Sequence, residues 1–284
     1  MAMIAPVRPS PIAGKWYDGN PQALARTVDQ YLDRAELPEL SGEVIAVISP
    51  HAGYDYSGPV AGYAFAAVRG RTFDLVAVIS PIHQPYSYEP LLTTAHEAYS
   101  TPLGNMMVDK DALAALDACL RKRLGDGLTS VARDQEHSLE IELPFLQRAL
   151  KGEFKLLPVM VNAQSPKVSR QLGLSLAESL AGKNALLVAS TDLSHYYPQS
   201  EAKLLDDEML RQVEAFDPDG CFQADREEKG YACGLGALTA VLWAAQALGA
   251  DTVKILRHAT SGDVTGDYSA VVGYGAAVAL KKSS

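Results

Sequence analysis

Six nearly continuous apolar runs dominate this chain, separated by stretches with helical periodicity. The runs are Val44–Ser49, Leu75–Ser80, Phe154–Val161, Ala185–Thr191, Thr252–Leu256 and Ala270–Leu280. Unbroken apolar, β-branched character suits strands buried on both faces. Helical spacing marks Pro21 to Leu37, Ala61 to Val68, Asp109 to Leu124, Leu139 to Leu150, Pro166 to Leu180, Ala202 to Phe216 and Leu235 to Leu248. Asn20 suits an N-cap, with Pro21 at the first helical position. Pro144 predicts a start near Glu140 or a kink in its helix. Strands alternating with helices predict an α/β fold: a mostly parallel central sheet flanked by helices. No linker, low-complexity tract or charge run divides the chain, so residues 1–284 read as a single domain. A hydrophobic content of 48% is enough for a sizeable core.

Three of these runs lead into a turn and then a histidine. Val44–Ser49 leads to Pro50-His51, Leu75–Ser80 to Pro81-Ile82-His83, and Ala185–Thr191 to Asp192-Leu193-Ser194-His195. Only six histidines exist, so half of them follow a strand of this kind. In open α/β sheets, ligands bind in the crevice beyond the carboxyl ends of the strands. The segments Ala46-Val47-Ile48-Ser49-Pro50 and Ala77-Val78-Ile79-Ser80-Pro81 are identical, which marks two equivalent strand ends. A lone histidine there would cap or pack. Two at equivalent positions point to a mononuclear metal site, which commonly uses two neutral imidazoles and an anionic ligand.

Other residues offer chemistry beside them. Asp192 and His195, three apart, can face one cleft if a helical turn follows the strand. His195 then suits acid–base work, with Asp192 orienting it; alternatively Asp192 caps a helix. In Asp134-Gln135-Glu136-His137-Ser138-Leu139-Glu140 the acids suit a helix N-terminus, with Asp134 or Ser138 as cap. That explains His137 less well, and a neutral His137 directed into the cleft is the functional alternative. Cys233 precedes an apolar helix, where a thiol pKa is lowered and the sulfur becomes a ligand or nucleophile; a buried, inert cysteine is the other reading. A Cys233–His195 nucleophilic pair oriented by Asp192 is also permitted, but leaves His51 and His83 without roles. Asp263 reads as a turn residue or as cleft lining. Trp16 either packs the first helix or joins Arg8 near an anionic ligand.

Together these motifs resemble the Memo family. The resemblance rests on Arg8 with Ala13-Gly14-x-Trp16-Tyr17, Pro50-His51-Ala52-Gly53-Tyr54-x-Tyr56-x-Gly58 and Pro81-x-His83. It continues through Glu136-His137-Ser138-x-Glu140, Leu143-Pro144-Phe145, Asp192-x-x-His195, Cys233-Gly234 and Ser261 to Asp267. It implies a fold similar to class III, non-haem-iron extradiol dioxygenases. By position, His51 and His83 match metal ligands and His195 an acid–base residue. Cys233 stands where those enzymes have a carboxylate. Tyr54, Glu136, Glu140, Asp263, Arg8 and Trp16 would line the cleft, and His137 and Asp192 would assist catalysis. The implied metal is iron or copper, with zinc as a further candidate; the implied activity is that of a metal-dependent redox enzyme. The family also implies a non-enzymatic alternative, a scaffold for a small molecule or phosphopeptide, and a functional link to a radical-SAM protein.

Composition narrows the partners. A formal net charge of −9 with scattered lysine and arginine argues against nucleic acid or an anionic membrane. No run is long enough to span a bilayer, and the start lacks a signal-peptide layout. Three widely spaced cysteines without a Cys-x-x-Cys pair fit a reducing cytoplasm.

Overall fold

The structure is a computed structural model that describes residues 5–84 and 86–282. The outermost positions of the 1–284 reading, 1–4 and 283–284, lie outside the described residues. From the N-terminus run β1 (Val7–Arg8), α1 (Pro21–Arg34), β2 (Glu43–Ser49), α2 (Tyr54–Ala66) and β3 (Leu75–Pro81). Next come β4 (Leu91–Thr94), β5 (Ala98–Thr101), β6 (Gly104–Met107), α3 (Lys110–Leu124) and β7 (Thr129–Val131). After a 3-10 turn, Glu140–Glu142, follow α4 (Leu143–Ala149), β8 (Lys155–Val161), α5 (Pro166–Leu180), β9 (Ala185–Ser190) and β10 (His195–Tyr197). The chain closes with α6 (Gln199–Glu214), α7 (Pro218–Arg226), α8 (Leu235–Ala247), β11 (Thr252–Thr260), α9 (Gly262–Thr265) and β12 (Val271–Lys281).

The main sheet runs β10-β12-β2-β9-β3-β8-β4-β7, with β11 on β12. Its centre, β2-β9-β3-β8, is entirely parallel. The pairings β12–β2, β11–β12, β10–β12 and β8–β4 are antiparallel, so the sheet as a whole is mixed. Nearly every residue of the four central strands is buried, as expected for strands covered on both faces. Helix α8 packs on β2, β3, β8 and β9, while α2 packs on β2, β11 and β12. A small second sheet, β1-β5-β6, carries the N-terminal segment.

Several local expectations are replaced. Strands β4 to β7 and helix α7 are additional to the apolar runs and helical stretches. The helical segment expected from Leu139 does start at Glu140, as Pro144 predicted, but as a 3-10 turn that passes into α4 with Pro144 in its first turn. Asp134 and Ser138 cap nothing: the cap positions of these two elements are Leu139 and Glu142, without side-chain bonds. No helical turn follows β9 either, since residues 191–194 run on into β10.

Candidate metal centre

Strand order brings the site together. Sheet neighbours β2, β9 and β3 end in sequence at His51, Asp192 and His83, so these three stand side by side at one edge. His51 is buried, and its backbone N–H donates to Asp192 Oδ1 at 2.7 Å. Its ring Nδ1 lies 2.9 Å from Ser190 Oγ. The Ser190 hydroxyl donates its own proton to the Ser138 carbonyl at 2.7 Å. Ser190 Oγ therefore accepts from Nδ1, which fixes the tautomer and leaves a lone pair on Nε2. Burial, reinforced by His83 and His137, holds the His51 pKa well below its ordinary value, so the ring is neutral.

His83 is oriented by a carboxylate. Its Nδ1 meets Glu136 Oε1 at 2.9 Å, and its backbone N–H donates to Oε2 at 2.6 Å. Glu136 Oε1 also accepts from the backbone N–H groups of His137 and Ser138, each at 2.9 Å. Burial disfavours the charged carboxylate, but His83 and these N–H donors outweigh it and hold Glu136 far below the usual range. Burial likewise opposes charge on His83, yet Glu136 outweighs it and raises the ring pKa. A histidine held through Nδ1 by a carboxylate presents Nε2 as its ligating atom. His137 stacks between Trp16 and His83, with centroid distances of 4.2 Å and 4.6 Å. Burial lowers the His137 pKa to about 4. Donor atoms of His51, His83 and His137 all lie within 4.8 Å of one another. The sequence expectation was a neutral His137 directed into the cleft to assist catalysis; its ring groups with those of His51 and His83.

Cys233 meets the cluster on one side. Its Sγ lies 3.1 Å from His51 Nε2 and accepts the Asp192 N–H at 3.2 Å. The loop can come this close because residue 234 is glycine: a Cβ there would sit 2.5 Å from the Ser190 carbonyl oxygen. Burial, with the Asp192 charge added, pushes the thiol pKa up. The lowering expected from the following helix is overridden by desolvation. The imidazole bonded to this thiol is that of His51, and among the described residues no hydrogen bond joins Cys233 to His195. Asp192 orients the His51 backbone, with Oδ2 4.0 Å from His51 Nε2, and burial pushes its carboxyl up to about 7. His195 donates Nδ1–H to the Leu193 carbonyl at 2.9 Å, leaving Nε2 unprotonated in the neutral ring. Burial lowers its pKa.

Arg8, Glu140 and Tyr54, expected at the cleft, are buried in the packing behind it. Arg8 is fully buried; its Nε and Nη2 donate to Asp134 Oδ1 at 2.9 Å and 2.7 Å, and its Nη1 to Glu140 Oε2 at 2.5 Å. Arg8 is thus spent on carboxylates and holds the 134–140 loop instead of an anionic ligand. Glu140 also accepts from Tyr17 at 2.7 Å and from Ser10. Tyr54 is buried, with its hydroxyl donating to the Ile141 carbonyl at 2.8 Å. Asp263 lines a separate pocket that contains no histidine, and accepts the Thr260 N–H at 2.8 Å and Gln199 at 2.9 Å. Trp16 does border an open groove of about 390 Å³, together with Lys15, Tyr56, Tyr196 and Tyr274. Tyr196, next to His195, adopts φ 66° and is 76% exposed. A left-handed backbone at a bulky residue stores strain of about 1–3 kcal/mol.

Sequence reasoning missed Ser190 and read Ser138 only as a helix cap, whereas the two together set the His51 tautomer. Their signal was faint: a serine closing a buried run, and a serine following His137. It also missed Glu142, a buried carboxyl with no hydrogen-bond partner for either oxygen among the described residues. Burial pushes Glu142 up to about 8, so it is predominantly protonated at neutral pH.

Comparison with known proteins agrees with the motifs. The family described as Memo-like protein matches residues 8–278. A MEMO1 family protein of Methanococcoides burtonii is 34% identical over 274 residues, covering 96% of this chain and 99% of its own length. One from Nitrosopumilus maritimus is 32% identical over 274 residues, covering 95% and 98%. One from Methanopyrus kandleri is 34% identical over 280 residues, covering 94% and 96%. The chain belongs to the Memo family.

Proposed function

We propose that this protein binds one redox-active metal ion, iron or copper, through His51, His83 and Cys233, and acts as a metal-dependent redox enzyme. The observation that carries the metal reading is the convergence of His51, His83 and His137 within 4.8 Å, with a neutral tautomer fixed on His51. Two further features support Cys233 as the anionic donor. The His51 Nε2 to Cys233 Sγ separation is 3.1 Å. A thiolate also suits soft copper(I) and donates charge to iron, and would suit zinc in the same pocket.

A bound iron or copper would supply one-electron chemistry and open positions for an exogenous ligand. The protein residues do the rest. Glu136 and Ser190 hold the imidazoles in their ligating tautomers. His195 Nε2 takes or gives a proton, and Asp192 fixes the His51 backbone. His137 and Trp16 wall the site on the groove side and limit water.

Metal analysis of protein purified without chelators tests this. The wild type should carry near-stoichiometric iron or copper, and a His51→Ala/His83→Ala variant only background. Equally low metal in both, after metal-replete preparation, would overturn the proposal. A second reading, a ligand or peptide scaffold, draws on the aromatic groove of Trp16, Tyr56, Tyr196 and Tyr274 beside Lys15. Ligand binding that survives complete metal removal would favour it.

A further inference from the structure

Away from the histidines, α1, α2 and β11 enclose a pocket of about 310 Å³ that holds two arginines, Arg34 and Arg257, and three tyrosines, Tyr31, Tyr56 and Tyr63. Neither arginine has an ion-pair or hydrogen-bond partner among the described residues, although most other arginines of the fold do. The pocket is built rather than incidental. The β11–β12 register shifts between Ile255 and Arg257, and a bulge of this kind re-aims the side chains that follow it. The Arg257 guanidinium then lies 5.6 Å from the centre of the Tyr63 ring on α2, a cation–π contact that restrains it. Tyr31 is fixed by a hydroxyl bond to the Tyr54 carbonyl at 2.8 Å. Its ring occupies the space above Gly58, where any Cβ would come within 2.4 Å of it. The lining contains one carboxylate, Asp263, already held by Thr260 and Gln199. Two exposed arginines without carboxylate partners therefore line one pocket together with a single, already committed acid.

We infer that this pocket binds the oxyanionic group, phosphate or carboxylate, of a small ligand, with Arg34 and Arg257 as its donors. Planar guanidinium forks match the paired oxygens of both groups. Both arginines are exposed, so salt screens their attraction for an anion and binding is strongest at low ionic strength. Tyr56 lines both this pocket and the groove beside the histidines. A ligand anchored here can therefore lay its uncharged body over Tyr56 toward the cluster; that extension, unlike the anion site itself, rests on the metal-centre reading.

The test is calorimetric titration of the full chain with inorganic phosphate and, separately, with succinate, at low salt. Wild-type binding should weaken at least fivefold in Arg34→Gln and in Arg257→Gln. It should tighten in Asp263→Asn and remain unchanged in Arg26→Gln, an exposed arginine of α1 outside the pocket. Preference for phosphate or for succinate identifies the source of the oxyanion. Binding should persist in the His51→Ala/His83→Ala variant, which separates this site from the metal reading. Affinity for both anions that ignores Arg34, Arg257 and Asp263 alike, or no measurable binding of either anion, would overturn the inference.

Discussion

Glu136 accepts four hydrogen bonds, two of them from His83. Replacing it by glutamine keeps the shape but turns an amide N–H₂ toward N–H donors. Glu136→Gln should cost about 2 kcal/mol, below the range for fully buried pairs because the His83 side chain is 35% exposed. Metal affinity should fall about 10- to 100-fold, as for other carboxylates that orient a ligating histidine. The sign of the pH dependence follows from the two shifts. Glu136 is depressed, so its contribution is complete above the ordinary 4.5 and fades as pH falls toward its folded value. His83 is raised, so its contribution is complete below the ordinary 6.5 and fades as pH climbs through its folded value. In metal-free protein, the stability gap between wild type and Glu136→Gln should therefore be widest between these two values. Urea unfolding at a series of pH values measures it. Cys233 adds a second titration: its half-buried thiol must lose a proton to ligate. Wild-type metal affinity should rise about tenfold per pH unit near neutrality, and Cys233→Ala should lose that slope.

At the scale of elements, the central strands were legible because burial on both faces leaves an unbroken apolar record, as in β3, Leu75–Pro81. The short strands left a weaker one: β6, Gly104–Met107, is mostly exposed and β7, Thr129–Val131, only partly buried. The acidic stretch 134–140 reads locally as a helix start. Instead its carboxylates answer partners far along the chain, Asp134 to Arg8 across 126 residues and Glu136 to His83 across 53. Tertiary demand won over capping propensity, and spacing alone carries no trace of that. His51 and His83 were identified from their strand ends, whereas the approach of Cys233 depends on a loop packing that only Gly234 permits. Gly234→Ala should force this loop off the β9 end, at a cost of about 1–3 kcal/mol. Thermal unfolding should show the loss, and metal content should fall with it.

Across the whole molecule, Arg8 joins the N-terminal sheet to the loop that carries Glu136 and His137. Its guanidinium bonds Asp134, Glu140 and the Glu136 carbonyl, and lies 4.9 Å from the centre of the Tyr99 ring. Arg8→Met would strand two buried carboxylates, at a cost of about 3–5 kcal/mol that acidic pH partly relieves. Denaturant unfolding at neutral and acidic pH checks this. Among the described residues, no helix is long and apolar enough to cross a membrane. The fold thus devotes its parallel centre and its N-terminal strap to one edge, where His51, His83, His137 and Cys233 meet. X-ray absorption at the edge of the bound metal interrogates that meeting most directly. One sulfur scatterer at about 2.3 Å is expected beside imidazole nitrogens at about 2.0–2.1 Å, with the sulfur lost in Cys233→Ala. A wild-type spectrum with nitrogen and oxygen scatterers alone would contradict it.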